Sequence, residues 1–168
     1  DKYIGDAIVS FFGAPMDVPD HAFKACASAV RMKQIEKQLN ETRLADGTLP
    51  MPIYTRIGIN TGKMVIGNMG TEKKMNYTMM GNNVNLASRL EGVNKQYRTG
   101  GILISEATKS QLDDSIIVRS LDRVQVVNVK TPMRLYEVLD FKSDVTEDFL
   151  KYIEAWEEAM KAFEKGDY

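Results

Sequence analysis

The chain has 168 residues, 43% of them hydrophobic, enough to close the core of one domain with an appendage. Its formal net charge of −1 provides no broad basic footprint, so nucleic acid is not an expected partner. A single cysteine, Cys26, excludes an intrachain disulfide and fits a reducing compartment, and a single histidine, His21, excludes a multi-histidine metal site made by this chain alone.

The chain opens without methionine on DKYIGD, inside what reads as a strand, so a longer parent protein is expected. Residues 3–12, YIGDAIVSFF, are β-branched and aromatic around Gly5 and Asp6. That pattern predicts a hairpin with a tight turn that exposes Asp6 at a sheet edge. A helix is predicted from residue 19 to about residue 40, with Ala22, Ala25, Cys26, Ala29, Met32 and Leu39 facing inward. His21 falls in its first turn with no chemical task, and Cys26, in an alanine-rich run, reads as buried filler. Residues 41–52 are polar, with Asp46-Gly47 and two prolines, and read as a loop.

Residues 53–59 alternate, with Ile53, Thr55, Ile57 and Ile59 on one side, which predicts a half-buried strand. Asn60-Thr61-Gly62 reads as a turn and 63–68 as the returning strand, ending at Met69-Gly70. The glycines at 62, 67 and 70 match no phosphate-loop pattern and read as hairpin glycines. The polar TEKK of 71–74 leads into a β-prone run at 75–80 and then an amphipathic helix opening at Asn82 and Asn83. Val84, Leu86, Ala87 and Leu90 supply its buried stripe, while Asn85 and Arg89, at i and i+4, stand together on a second face. An amide and a fixed positive charge near a helix N-terminus form a site for an anionic oxygen; the alternative is an ordinary surface pair. Residues 100–105 read as a short buried strand, Ser105 as the cap of a further helix, 116–127 as one or two strands and 133–139 as the last. From Thr146 a charged amphipathic helix carries Tyr152, Trp156, Ala159, Met160 and Phe163 along one side, expected as a linker or the start of a helical repeat. No stretch is long and apolar enough to span a bilayer. Hairpins alternating with helices predict an α+β fold, a ferredoxin-like antiparallel sheet with helices packed on one face. Residues 1–140 read as the domain and 141–168 as its appended helix.

Four segments, KYIGD at 2–6, the FFGAP that follows, RIGINTG at 56–62 and YTMMGNNVNLASRLE at 77–91, together resemble the catalytic domain of class III nucleotide cyclases, in particular the bacterial adenylate cyclase type. The resemblance spans about residues 1–140. It implies an active site between two catalytic domains, here a head-to-tail homodimer, in which two aspartates of one domain hold two Mg²⁺ or Mn²⁺ ions. Those ions activate the ribose 3′-hydroxyl of ATP and clamp the α-phosphate while pyrophosphate leaves. Asp6 matches the second of these aspartates, and an exposed turn carboxylate suits a hard cation. Lys2 matches the purine-reading lysine and Thr78 its companion. A lysine donor with a hydroxyl acceptor suits adenine, whereas guanine would want the roles exchanged. Asn85 and Arg89 match the transition-state pair, the amide orienting the ribose and the guanidinium offering charge to the pentacovalent phosphate.

Two departures follow from the same resemblance. The first metal aspartate belongs upstream of KYIGD, on a strand that would precede this sequence with its helices, so the chain alone is expected to be inactive. In QVVNVKTP, at 125–132, Val127 stands where relatives carry a triphosphate-binding lysine, and Lys130 is the nearest cation that can substitute. An upstream regulatory domain is expected in the parent protein, with cytoplasmic placement of this part and no membrane contact within it. Three alternatives stay open: a guanylate cyclase, a degenerate cyclase-like module that binds without turnover, and an interaction module whose working part is the C-terminal helix.

Overall fold

The computed structural model describes residues 1–125 and 132–166. In chain order the elements are β1 (Lys2–Ile4), β2 (Ala7–Val9), α1 (His21–Ala45), β3 (Ile57–Ile59), β4 (Val65–Thr71), β5 (Lys74–Met80) and α2 (Asn82–Val93). They continue with β6 (Ile102–Ser105), α3 (Glu106–Lys109), β7 (Ile116–Val124), β8 (Met133–Phe141) and α4 (Glu147–Lys165). The strands form three sheets: the hairpin β1–β2, the hairpin β4–β5, and a four-stranded sheet in the order β3-β6-β8-β7.

The α+β class stands as read, and its internal arrangement differs on two points. The central sheet is mixed, because β3 runs parallel to β6 while β6–β8 and β7–β8 are antiparallel. The helices also cover both of its faces. Successive strand residues point to opposite sides, and β6 is apolar on both. Ile102 and Ile104 join Cys26, Ala29 and Val30 of α1 with Ile116 and Val138, whereas Leu103 joins Leu86 and Leu90 of α2 with Leu135. A strand of this kind must be buried from both sides, so a helix lies on each.

Local chemistry explains the shifted boundaries. Residues 53–56 are outside any ladder because α1 has already claimed their backbone: Asn40 bonds both the N–H and the C=O of Ile53 at 2.8 Å, and Glu36 accepts the N–H of Thr55 at 2.7 Å. Only Ile57–Ile59 remains for β3. Residues 63–68 do not return along β3; β4 pairs with β5 from Val65↔Met80 to Thr71↔Lys74, and TEKK is that hairpin's own turn. Helix α1 runs past residue 40 to end at Asp46 and Gly47, the latter at φ +71°. Its core contribution stops at Val30, so Met32 and Leu39, expected inside, are 45% and 40% exposed. Cys26 is buried as expected, and desolvation pushes its thiol up to about 12.

The C-terminal helix lies against the edge strand β7. Its inward stripe is Ile153, Trp156, Glu157 and Met160, not the expected one through Tyr152, Ala159 and Phe163. The Trp156 indole donates to the Ser120 carbonyl at 2.7 Å, and Glu157 accepts from the Ser120 N–H and hydroxyl at 2.6 and 2.7 Å. Arg119 stacks over Trp156 at 4.7 Å from the ring centroid while its Nε donates at 2.6 Å to Glu137, whose side chain is buried and also accepts from the Gly100 N–H. Among the described residues no helix is long and apolar enough to cross a membrane.

The approach of α2 to β3 sets the tightest steric limit. A Cβ at Gly58 would stand 2.2 Å from the Ala87 carbonyl oxygen and 2.4 Å from the Glu91 nitrogen, whereas one at Gly67 meets nothing within 4 Å. Gly58→Ala is expected to lose about 1–3 kcal/mol in urea unfolding and Gly67→Ala less than about 0.5 kcal/mol. Equal losses would contradict the packing described.

Candidate functional site

Helix α2 carries the two residues singled out for anionic oxygen. Gly81, at φ +146°, ends β5, and its carbonyl accepts from the N–H groups of Val84 and Asn85 at 3.1 and 3.3 Å. Leu86 and Leu90 fix the buried stripe. Asn85 is exposed and Arg89 half-buried, and among the described residues neither side chain has a hydrogen bond or ion pair. The pair is therefore held by its helix and left with its polar groups unspent.

Side-chain amides hold α2 at both ends. Asn60, just beyond β3, donates to the carbonyl and side-chain oxygens of Asn83 at 3.1 and 3.2 Å, and Asn83 donates to the Lys63 carbonyl at 2.9 Å. Asn60 in turn accepts from the Ser105 hydroxyl at 2.6 Å, and Ser105 meets Thr108, which reaches Thr61 at 3.1 Å. Ser105 also caps α3, as expected, by accepting from the Thr108 N–H. A Cβ at Gly62 would fall 2.4 Å from the Asn83 amide, so the loop there must be glycine to let the clamp close. Beyond the other end of α2, Asn94 is buried and donates to the Gly101 carbonyl at 2.7 Å. Arg56 and Glu91 add an ion pair at 2.8 Å. Tyr97 donates to Asp122 at 3.0 Å; burial, then the Asp122 carboxylate, push its phenol up to about 12.

Lys2 and Thr78, far apart in sequence, meet through a third residue. Thr78 is buried, and its hydroxyl donates to the Asp1 carboxylate at 2.8 Å; the Lys2 ammonium lies 3.7 Å from the same oxygen. Rings of Phe11 and Tyr77, with centroids 6.4 Å apart, add a second link between the segment after β2 and β5. Asp6 sits exposed in the turn closed by Ile4↔Ala7, beside Gly5 at φ +62°. The turn is at the opposite end of the hairpin from Lys2, about 10 Å away at the usual strand rise. Among the described residues no hydrogen bond or ion pair joins Asp6 to α2, and no group of three or more His, Cys, Asp or Glu is placed to hold a metal. A lone carboxylate fits Mg²⁺ only as part of a ligand set completed by phosphate oxygens, waters or a second carboxylate. Val127 and Lys130 lie outside the described residues.

Two features of the site were not read from sequence. Asn60 sits within RIGINTG, where it reads as a turn residue, and only the fold brings it against Asn83. Asp1 adjoins Lys2, but its bond to Thr78 spans 77 positions.

Residues 2–140 match the model of the adenylate and guanylate cyclase catalytic domain. The chain is 36% identical over 138 residues to adenylate cyclase 1 of Rhizobium meliloti, covering 82% of this chain and 20% of that protein. It is likewise 36% identical over 145 residues to an adenylate cyclase of Anabaena cylindrica, covering 82% of this chain and 27% of that one. The chain thus spans about a fifth to a quarter of the length of these relatives. Among solved structures, the adenylyl cyclase CyaB from P. aeruginosa superposes with a TM-score of 0.75 at 35% identity, over 87% of this chain and 74% of that one. The guanylyl cyclase Cya2 superposes at 0.67, also at 35% identity, over 80% of this chain and 66% of that one. Equal identity to cyclases of both bases leaves the choice of nucleotide to individual residues.

The clamp at Asn60 generates a direct test. Asn60→Ala removes the acceptor of the Ser105 hydroxyl and the donor to Asn83, with an expected loss of about 1–3 kcal/mol in urea unfolding. Asn60→Asp retains the acceptor for Ser105 but loses the donor to Asn83, so a comparable loss is expected. Wild-type stability in Asn60→Asp would show that the clamp does not hold α2.

Proposed function

This chain belongs to the adenylate and guanylate cyclase catalytic-domain family, and from that premise we propose that it converts ATP to 3′,5′-cyclic AMP and pyrophosphate. The observation that carries the reading is the unspent Asn85–Arg89 pair on a clamped helix, in the same chain as the Lys2–Thr78 pairing. In the reaction the ribose 3′-oxygen forms a bond to the α-phosphorus, the bond from that phosphorus to pyrophosphate breaks, and the 3′-hydroxyl gives up its proton. Asn85 orients the ribose. Arg89 offers fixed charge to the phosphorus centre as negative charge spreads over its oxygens, which is the term preorganised donors stabilise most. Lys2 donates to the acceptor nitrogen on the adenine edge and Thr78 accepts from the exocyclic amine, which favours ATP over GTP.

Mg²⁺ or Mn²⁺ held in part by Asp6 supplies, when bound, polarisation of the 3′-hydroxyl and of the α-phosphate. Its remaining protein carboxylate is proposed to come from a part of the catalytic domain other than the described residues. Lys130 is the proposed cation for the triphosphate. The site is proposed to form between two copies of the domain. The exposure of Tyr3, Ile4 and Ile8, at 80%, 59% and 62%, supports an apolar partner surface beside Lys2 and Asp6.

Cyclic AMP formation with Mn²⁺, measured for this chain and for one extended upstream of Asp1, tests the proposal. Activity is expected in the extended protein and not in the chain alone. Arg89→Ala is expected to lower kcat by about 10²–10³ with KM little changed, and Asp6→Ala to remove the response to metal. Retained kcat in Arg89→Ala would contradict the assignment. ATP binding without turnover at either length would establish a binding module instead.

A further inference from the structure

The hydroxyl of Thr78 can face a purine either as donor or as acceptor, and one neighbour decides which. A threonine hydroxyl has one proton and two lone pairs. In this structure the proton is committed: Thr78 Oγ1 donates at 2.8 Å to the Asp1 carboxylate, whose side chain is only 3% exposed, so water does not compete for the bond. A carboxylate beside the Lys2 ammonium, 3.7 Å away, accepts and does not donate. The same carboxylate oxygen therefore faces both base-reading residues.

We propose that Asp1 is a positioning residue that sets the base preference of the site by holding Thr78 as an acceptor and Lys2 in place as its companion donor. The proposal rests on the adenylate cyclase reading above. With its proton given to Asp1, Thr78 presents only lone pairs to the base. Those lone pairs accept the exocyclic N–H of adenine and oppose the carbonyl oxygen of guanine. Lys2 presents only donors, which pair with the bare ring nitrogen of adenine and oppose the protonated one of guanine. Without the carboxylate, the Thr78 hydroxyl is free to turn and donate, and the penalty against guanine at that position lapses.

The test is the ratio of kcat/KM for ATP to that for GTP in the full-length protein, with competition of the two nucleotides for binding as a second readout. Asp1→Asn, whose amide can donate to Thr78, and Asp1→Ala are expected to lower the ratio by about tenfold or more, and Asp1→Glu to retain it. Lys2→Ala and Thr78→Ala are measured alongside. An unchanged ratio in Asp1→Asn and Asp1→Ala, with altered ratios in Lys2→Ala and Thr78→Ala, overturns the role of Asp1 and leaves the base-reading pair standing. Equal losses for both nucleotides in the Asp1 variants mark a structural role and also overturn it. An unchanged ratio in all of these variants removes the base-reading pair itself, and the proposal with it.

Discussion

Helix α2 lies so close to β3 that a single methyl group at Gly58 would collide with its backbone, and this close approach is what the rest of the site depends on. Close packing alone fixes a distance but not a rotation or a register. Those are set by hydrogen bonds at the ends, Asn60 to Asn83 at the start and Asn94 to Gly101 just past the finish, with Arg56 and Glu91 paired near the end. Amides suit the task because each both donates and accepts, so one side chain satisfies two partners at once. A helix restrained in this way carries Asn85 and Arg89 at a fixed position with their polar groups still available. That is the condition under which a charged donor stabilises a transition state without first reorganising.

The opposite face of the sheet is built differently. There α1 packs small side chains, Cys26, Ala29 and Val30, against Ile102 and Ile104, and its later turns add polar ties from Asn40 and Glu36 to the backbone of Ile53 and Thr55. The far edge is tied by polar contacts as well. Glu137, buried within β8, is neutralised by Arg119, which also covers Trp156 of α4, while Ser120 is bonded by both Trp156 and Glu157. The C-terminal helix is thus tied to the strand next to β8, and β8 to the Gly100 turn that precedes β6. Removing one partner of the Arg119–Glu137 pair would leave a buried charge unmatched, so this edge resists partial loosening.

Local signals were legible in the sequence and remote partners were not. The Gly5–Asp6 turn, the buried run ILIS, the Ser105 cap and the start of α2 all follow from residues within a few positions of one another, and all are present. The alternation at 53–59 was equally clear, yet half of that strand is missing because Asn40 and Glu36 of α1 take its backbone groups. Pairing of β3 with β6, in parallel, depends on the crossover between them and leaves no mark in either segment. The C-terminal stripe was placed about one residue off, since amphipathicity identifies a helix face only when something is known of the surface beneath it. Of the site, α2 and the β1–β2 hairpin were legible through their motifs; the Asn60 clamp and the bond from Thr78 to Asp1 required the fold.

The most direct measurement is a crystal structure of the complete catalytic domain with a non-cyclisable ATP analogue and Mg²⁺. The arrangement described here predicts the adenine edge within hydrogen-bonding reach of Lys2 and Thr78, Arg89 turned to the α-phosphate, and Asp6 on the cation. A base seated away from Lys2 and Thr78, or an Arg89 that makes no phosphate contact, would contradict it.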